Sequence, residues 1–361
     1  MKKFEYWLWL SKLKGLSNLQ KNRLLIYFSD PEAAFFSDEK EFREAAGFRN
    51  KKQLEKFKKS NSLEAVEQDI RRMEREKIEY ISIEDCRYPQ DLKEIYNPPI
   101  GLYLKGDSTL LKSQPAIAIV GSRNASGAAI RYAKEFSRAI ASMGISIISG
   151  LAEGIDGSAH WGALDEPGKT VAVLGTGVDI CYPNFNEKLY VKIAQQGLLV
   201  SEFNLGEKPL AFHFPLRNRI ISGLANGVLV VEAGQKSGSM ITVNHALDQG
   251  KNIYVIPGEI NNPRWSGGNT LLKEGAKLVT EANDILEDFI IKRCDEKVLK
   301  KSRPIDPEYR EIADLISQGF NTADELMRAS GLSVPELNHK LTMMELDEII
   351  AVKRGKITLN Q

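Results

Sequence analysis

The sequence predicts an α/β protein centred on a Rossmann-like, doubly wound parallel sheet, with a small all-α N-terminal domain and a C-terminal winged helix. Two observations lead to this prediction. Between residues 115 and 290, apolar runs bounded by glycines alternate with segments long enough for one helix each. Near the C-terminus, two helix-capping signals precede a short hairpin with a glycine turn. A length of 361 residues allows two or three domains.

The apolar runs of residues 115–290 are continuous rather than alternating, which is typical of parallel strands that helices cover on both faces. They comprise Ala116–Val120, Ile145–Ile148, Thr170–Leu174, Leu198–Val200, Val228–Val231, Ile253–Ile256 and Lys277–Val279. Helices are predicted between them, for example over Ala128–Met143, Glu187–Gln196 and Met240–Gln249. Because open parallel sheets bind ligands at the carboxyl ends of their strands, the residues after each run are the candidates for a site.

The first 114 residues are predicted to form two parts. Residues 1–80 show only helical periodicity, so they predict a small helical domain with glycine-centred turns at Gly15 and Gly47. Tight connections are the favoured interpretation of these turns, and phosphate binding by helix amides is the alternative. A basic stretch over 49–59 is a solvated helix face or a nucleic-acid contact. Residues 81–114, which contain Tyr88-Pro89 and Pro98-Pro99, predict an extended connection packed on the sheet domain.

The C-terminal part is predicted to be a linker over 291–307 followed by a winged helix over 308–361. The capping boxes Thr322/Glu325 and Ser333/Glu336 start two of its helices, and Ile349 begins the hairpin. The presumed recognition helix, residues 334–348, carries one lysine against four acidic residues. That negative charge disfavours a phosphate-lined groove, so this module is expected to contact protein or to contribute little to DNA binding.

The composition is that of a globular protein, with 42% hydrophobic and 27% charged residues. Because 49 basic residues face 48 acidic ones, any site for a polyanion must be local. The three cysteines, Cys86, Cys181 and Cys294, lack disulfide or zinc spacing. The N-terminal apolar run is too short for a signal peptide, and no stretch has a membrane-spanning length. We therefore expect a cytoplasmic protein with no metal and no membrane contact.

The loops after the predicted strands are rich in glycine and hydroxyl side chains, which suit backbone contact with a phosphate. The first, Gly121–Gly127, is neither a dinucleotide fingerprint nor a Walker A loop, so ordinary NAD and ATP chemistry is disfavoured and no cofactor is expected. Two further segments, Tyr182–Asn186 with Lys188 and Phe212–Arg219, place aromatic rings beside cationic or amide groups. That mixture is typical of single-strand binding, whereas a hydrophobic plug and surface ion pairs are the structural alternative.

Catalytic groups are poorly represented by comparison. Asp156 and His160 have the spacing of a helix-surface pair, and Glu232 follows a strand as a lone acid. For Arg217 and Arg219 together, ligand contact is favoured over ion pairing. The sequence therefore predicts a binding protein rather than an enzyme.

Over nearly all of residues 115–280 the chain resembles the DprA (Smf) family of bacterial DNA-processing proteins. The motifs that carry the resemblance are Val120–Arg123, Ser149–Asp156 with Ala159-His160, Val173–Asp179 with Tyr182-Pro183 and Asn186, Ser201-Glu202, Phe214–Ile220, Val231–Ala233 with Ser237–Ser239, Pro257-Gly258, and Gly275-Ala276. The two flanking regions resemble the family's SAM-like and winged-helix modules. Two departures concern charge: Glu153 stands where members often have arginine, and Asn184 where some have lysine, with Lys188 or Lys236 as substitutes.

The resemblance implies a protein that binds and protects single-stranded DNA without sequence preference. It also implies loading of the recombinase RecA in DNA uptake, natural transformation and recombination, and a homodimer formed through the Rossmann-like domain. The implied DNA contacts are Gly121, Ser122, Arg123, Ser126, Gly150, Gly175, Gly177, Asn184, Phe185, Asn186, Lys188, Arg217, Asn218, Arg219, Lys236, Ser237, Gly238 and Ser239.

Two other functions stay open at this point. The architecture resembles the nucleotide-binding LOG family, which cleaves nucleoside monophosphates, although the segment Glu232–Met240 lacks that family's Pro-Gly-Gly start and downstream acid. A winged-helix transcription regulator that senses a nucleotide is the other alternative, and the acidic recognition helix disfavours it.

Overall fold

Nine strands form one mostly parallel sheet in the computed structural model, which describes residues 3–48, 55, 57, 63–111, 115–165, 169–289, 309–317, 319–346, 349–353 and 356–359. The strands are β1 (Ile78–Ser82), β2 (Gly101–Gly106), β3 (Ala116–Val120), β4 (Ser146–Ser149), β5 (Thr170–Val173), β6 (Leu198–Ser201), β7 (Gly227–Val230), β8 (Asn252–Val255) and β9 (Lys277–Leu278). Their order is β1-β2-β6-β5-β4-β3-β7-β8-β9. All seven predicted strands are present, and the doubly wound prediction is confirmed.

The topological switch point of this sheet lies between β3 and β7. From β3 the chain adds β4, β5 and β6 on one side, then crosses back to add β7, β8 and β9 on the other, with every neighbouring pair parallel. The loops that follow β3 and β7 therefore start at the same carboxyl edge of the sheet and lead away from each other. A crevice between such loops is where open α/β sheets bind ligands.

Helices connect the strands where the periodicity predicts them. They are α1 (Lys3–Lys12), α2 (Asn18–Phe28), α3 (Pro31–Phe36), α4 (Glu39–Ala46), α5 (Leu63–Glu76), α6 (Gln90–Lys93), α7 (Gly127–Ser142), α8 (Ile155–Leu164), α9 (Glu187–Gln196), α10 (His213–Gly223), α11 (Ser239–Asp248) and α12 (Ser266–Lys273). A further helical stretch covers 283–289. None of the described helices combines the length and the apolar character needed to cross a membrane.

The segment 81–114 contains more regular structure than an extended connection. It includes the end of β1, helix α6, strand β2 and a short 3-10 helix over Ser108–Leu111. Strand β2 pairs antiparallel with both β1 and β6, with Tyr103 opposite Ser201. This hairpin extends the parallel sheet because apolar side chains of β2, such as Leu102 and Leu104, are fully buried in its core.

The N-terminal helices share a hydrophobic core with the sheet. Trp9, Leu10 and Phe42 belong to the same buried cluster as Leu199 of β6 and Tyr190 of α9. Side-chain caps fix the helix starts: Ser17 forms a capping box with Gln20, while Asp30 and Asp38 cap the next two helices. The predicted turns at Gly15 and Gly47 have positive φ values of 86° and 60°. The basic stretch over 49–59 lies outside the described residues except for positions 55 and 57.

The second compact unit, Glu287–Gln361, contains a winged helix, as predicted. Its described elements are α13 (Arg310–Ser317), α14 (Ala323–Ser330), α15 (Val334–Leu346) and the antiparallel hairpin β10 (Ile350–Lys353) and β11 (Lys356–Leu359). The Thr322 capping box starts α14, and Ser333 donates to Glu336 ahead of α15. Ile312, Leu326 and Met344 contribute to its core. The predicted linker, 291–307, lies outside the described residues.

Candidate nucleic-acid interface

A cleft of about 390 Å³ lies at the switch point of the sheet. It is lined by the loop after β3, the first turns of α10 and the start of α11. Eight of the predicted site residues line it: Gly121, Ser122, Arg123, Arg217, Asn218, Ser237, Gly238 and Ser239. The structure thus brings the 120–124 loop together with the segments 214–221 and 237–242, which lie about a hundred residues further along the chain.

The loop after β3 is supported by Glu232, which lies two residues after the end of β7 and is fully buried. Its carboxylate accepts hydrogen bonds from the Ser126 amide at 3.2 Å and the Ser126 hydroxyl at 2.6 Å. The Glu232 carbonyl also accepts from the Ser122 amide at 2.7 Å. Ser126 in turn caps α7 through the Ala129 amide. Glu232 and Ser126 therefore hold the 121–127 loop in place rather than project into the cleft. This contact explains the lone acidic residue after β7.

Gly154 supports the same loop from the other side, and it is a residue that the sequence analysis did not select. Its φ is +77°, and a Cβ there would lie 2.4 Å from the Ser122 carbonyl oxygen and 2.6 Å from that of Arg123. Only glycine permits both that conformation and that approach. The signal was present in the sequence, since Gly154 is the second glycine of the segment Gly150–Asp156.

We expect Gly154→Ala to lower the free energy of unfolding by about 1–3 kcal/mol, because the new methyl group meets backbone and the positive φ is strained. It should also weaken ligand binding, since the 121–127 loop must move. Gly127→Ala is the matched control, because a Cβ at Gly127 meets nothing within 4 Å. Urea unfolding and ligand titration of both variants test this; equal stability of the two variants would contradict it.

Arg123 is the exposed cation of the cleft. Its guanidinium lies 5.5 Å from the centre of the Phe214 ring. The Phe214 ring lies 5.4 Å from that of Tyr182, which is itself exposed. A cation beside a pair of aromatic rings can hold a phosphate and stack a base at the same time. Phe214 was absent from the predicted contacts, although it opens the motif that contains Arg217.

Arg217 forms the floor of the cleft instead of projecting from it. Its side chain is buried, and it donates to the carbonyl oxygens of Gly150, at 2.9 Å, and Val173. Burial lowers the pKa of Arg217 to about 10, while Asp156 opposes that effect. A Cβ at Gly150 would lie 2.5 Å from the Arg217 guanidinium, so this glycine makes room for the arginine. Arg217 places positive charge at the floor of the cleft and joins the ends of β4 and β5.

Arg219 lies outside the cleft. Its guanidinium forms a bidentate ion pair with Glu202, at 2.7 and 2.6 Å, and also donates to the carbonyl oxygens of Asn97 and Leu216. Both side chains are buried, with 4% and 7% exposure. Ligand contact was expected for Arg217 and Arg219 together, but the Arg219 side chain is engaged within the fold. It links α10 to the end of β6 and to the 81–114 segment.

The other predicted site residues divide into supports and exposed groups. Gly175 and Gly177 allow close approach of Phe214 and of the Asn204 carbonyl, since a Cβ would lie 2.7 and 2.5 Å from them. Asn186 is buried and donates to the Leu151 carbonyl at 3.0 Å. The exposed groups, which are not part of the cleft lining, are Asn184, Phe185, Lys188 and Lys236. Phe185 is 83% exposed, as a ring available for stacking would be.

Asp156 and His160 do not form the helix-surface pair that their spacing suggests. The Asp156 carboxylate accepts from the Gly150 amide at 3.1 Å, and burial raises its pKa. His160 is fully buried, with Nδ1 2.7 Å from the Thr170 hydroxyl oxygen. Since that hydroxyl donates to the Ile147 carbonyl, the His160 Nδ1–H is the donor. His160 therefore serves the sheet interior, whereas Asp156 is a buried residue of the cleft wall close to Arg217.

His160 gives the fold a defined pH dependence. Burial lowers its pKa to about 3 from an ordinary value of 6.5. The unfolded chain therefore gains a proton below about pH 6.5 that the folded chain does not, so stability present above that pH is lost as the pH falls toward 3. We expect the loss to reach about 3 kcal/mol at pH 4. His160→Asn retains a donor toward Thr170 and should remove the part of this stability loss that comes from His160. Urea unfolding of both proteins at several pH values between 7 and 4 tests this. An equal loss of unfolding free energy in the two proteins would contradict the prediction.

The fold and cleft define a class of protein: a Rossmann-like domain with a cationic, aromatic switch-point cleft and a separate winged helix. Comparisons with known proteins agree. The family model described as "DNA recombination-mediator protein A" matches residues 79–290, and that of the "DprA winged helix domain" matches 300–356. The chain belongs to the DprA/Smf family of DNA-processing proteins.

Individual relatives show the extent of the similarity. The DNA processing protein DprA of Streptococcus pneumoniae is 46% identical over 207 residues, which are 57% of this chain and 72% of that protein. Protein Smf of Synechocystis is 35% identical and covers 97% of both chains. The X-ray structure of the S. pneumoniae protein matches with a TM-score of 0.68 and 39% identity, covering 78% of this chain and 97% of that one.

A second solved structure bears on the ligand. It is the DNA processing protein A from Helicobacter pylori, described by its "unique single-stranded DNA binding mode". It matches with a TM-score of 0.54 and 30% identity, covering 59% of this chain and 97% of that one.

Proposed function

We propose that this protein binds single-stranded DNA without sequence preference in the switch-point cleft. The observation that carries the proposal is the cleft itself, where exposed Arg123 lies over Phe214 between two strand-end loops. Every lining residue comes from 120–242, which supports residues 115–290 as the DNA-binding domain. The single-stranded DNA binding described for the H. pylori relative is consistent with it.

The backbone of the strand would lie over Gly121–Arg123 and the start of α11. Amides at a helix N-terminus carry partial positive charge and suit a phosphate. The hydroxyls of Ser237 and Ser239, 2.7 Å apart, stand at that helix start and can donate to phosphate oxygens. Arg123 supplies the full charge. Because a phosphate contact carries no sequence information, such binding tolerates any sequence.

Bases of the strand would stack on Phe214, Tyr182 or the exposed Phe185. Paired bases in a duplex are already stacked on one another and cannot use these rings. Two clefts joined in a homodimer through the Rossmann-like domain would raise the affinity for longer strands by effective concentration. We further propose that the protein protects the bound strand in the cytoplasm and loads RecA onto it. We expect the winged helix, whose residues 334–348 carry one lysine against four acidic residues, to contact protein or to contribute little to DNA binding.

The test is fluorescence anisotropy of a labelled oligodeoxythymidine strand and of a duplex of the same length, over a series of salt concentrations. We expect tighter binding of the single strand and a linear fall of log affinity with log salt, by about 0.7 per phosphate contact. RecA filament assembly on strands coated with a single-strand-binding protein, with and without this protein, tests loading. Equally weak binding of strand and duplex would contradict the proposal, and turnover of nucleoside monophosphates would then favour the hydrolase alternative.

A further inference from the structure

A second, larger cavity of about 1080 Å³ lies next to the cleft in the same compact unit. It opens between the α1–α2 turn of the N-terminal helices, the loop after β6 and the first turn of α10. None of its lining residues was among the predicted DNA contacts. The N-terminal helices thus contribute one wall of a binding-sized space that the sheet domain alone does not enclose.

The first turn of α10 separates the two cavities. Phe212, His213 and Leu216 line the second cavity, whereas Phe214 and Arg217 line the cleft. Neighbouring residues at the start of α10 thus line different cavities on its two sides. Phe212 is 65% exposed. A polymer leaving the cleft over the half-buried Phe214 would therefore meet the exposed ring of Phe212, which lines the next cavity.

The interior of the second cavity suits a planar heterocycle. Phe203 and His213 stack on one another in its wall, with ring centres 4.0 Å apart and an angle of 23° between their planes, and both are buried, at 8% and 3% exposure. Apolar side chains, including Leu13 and Leu16, form the walls. Apolar walls with aromatic rings and a small number of polar groups are typical of pockets for small planar ligands.

The charges of this cavity suit a single phosphodiester. Its lining includes three lysines, of which Lys12 forms an ion pair with Asp69, and two glutamates, of which Glu202 forms an ion pair with Arg219. Lys21 is held inside by a hydrogen bond to the Ser11 carbonyl at 2.5 Å. An adjoining cavity of about 310 Å³ shares Lys14 and adds Lys208, both exposed at the mouth.

We propose that the single strand bound in the cleft crosses the first turn of α10 and places a further nucleotide in the second cavity, its base toward the Phe203–His213 pair and its phosphate near Lys14 and Lys208. This inference rests on the proposed function. It assigns the N-terminal helical domain a direct part in strand binding and gives the strand a direction across the molecule.

The first test measures affinity against strand length, with labelled oligodeoxythymidines of about 4 to 12 nucleotides. The double variant Lys14→Glu/Lys208→Glu should bind the shortest strands as the wild type does, and the longest about tenfold or more weakly. Lys93→Glu/Lys273→Glu, at exposed lysines outside both cavities, is the control with the same net charge. Equal losses in the two double variants, or equal losses at all lengths, would overturn the inference.

The second test locates the strand directly. A strand carrying 5-iodouracil at successive positions, irradiated in the complex, should crosslink to Phe214 at one position and to Phe212 at another. Crosslinks confined to Phe214 would overturn the path. Titration with free thymidine monophosphate distinguishes a nucleotide of the bound strand from a free nucleotide as the occupant of the cavity. If the double variant no longer binds thymidine monophosphate but shows the wild-type length dependence for strands, the cavity binds a free nucleotide and the strand path is wrong. Absence of strand binding at every length would refute the proposed function and this inference together.

Discussion

Arg123→Ala is expected to lower the affinity for a single strand by about tenfold to a hundredfold. Hydrogen bonds to a charged group contribute about 1.5–3 kcal/mol, and this guanidinium is the exposed cation among the described residues that line the cleft. The loss should be larger at low salt, and the slope of log affinity against log salt should become shallower by about 0.7. Anisotropy titrations across the same salt series measure both quantities.

Arg131→Ala is the matched control for this prediction. Arg131 is an exposed arginine of α7 whose guanidinium lies 6.0 Å from the Tyr132 ring, outside the cleft lining. It removes the same charge and a similar ring contact, so its affinity should stay within about twofold of the wild type. Both variants should keep wild-type stability because both side chains are exposed. Equal affinities of the two variants would refute the assignment of Arg123.

Arg219→Met should have the largest effect on stability, lowering the free energy of unfolding by about 3–5 kcal/mol. Removing one partner of a buried ion pair leaves the other charge without compensation, and here Glu202 would remain buried. The carbonyl oxygens of Asn97 and Leu216 would also lose a donor. Urea unfolding measured by circular dichroism gives the free-energy difference.

The double variant Arg219→Met/Glu202→Gln distinguishes a lost ion pair from lost packing. We expect it to recover at least about 2 kcal/mol of the single variant's deficit, since the uncompensated carboxylate is removed. In conditions where the folded state is fully populated, strand affinity in the cleft should change far less than in Arg123→Ala. A stable single variant that fails to bind short strands would instead restore Arg219 as a DNA contact.

Much of the fold could be predicted because the signals are local. Continuous apolar runs mark β3 to β9, and glycines bound them; the predicted bounds of α9 match those observed. The capping box at Thr322 likewise identified a helix start. Strands β1 and β2 were missed because they pair antiparallel at a sheet edge, and the prolines between them resemble a connection more than a hairpin.

The location of the cleft could be predicted from the sequence, but the residues that line it could be predicted only in part. Strand order decides which loops meet, and the alternation of strand and helix already places every loop that follows a parallel strand at one rim. Residue type alone does not separate Arg123, which is exposed, from Arg217 and Arg219, which are buried two residues apart on one helix. The roles of Glu232 and Gly154 depend on neighbours far along the chain, with which they make contacts only after folding.

By itself the sequence determined the α/β class, the parallel sheet, the winged helix and the loops that hold the chemistry, since hydrophobic period, turn residues and caps act over a few residues. Only the tertiary structure decided which arginine faces the cleft and that the first turn of α10 separates two cavities. Those outcomes follow from packing between segments a hundred residues apart, where burial and the available hydrogen-bond partners, rather than side-chain type, determine whether a charge supports the fold or remains free for a ligand.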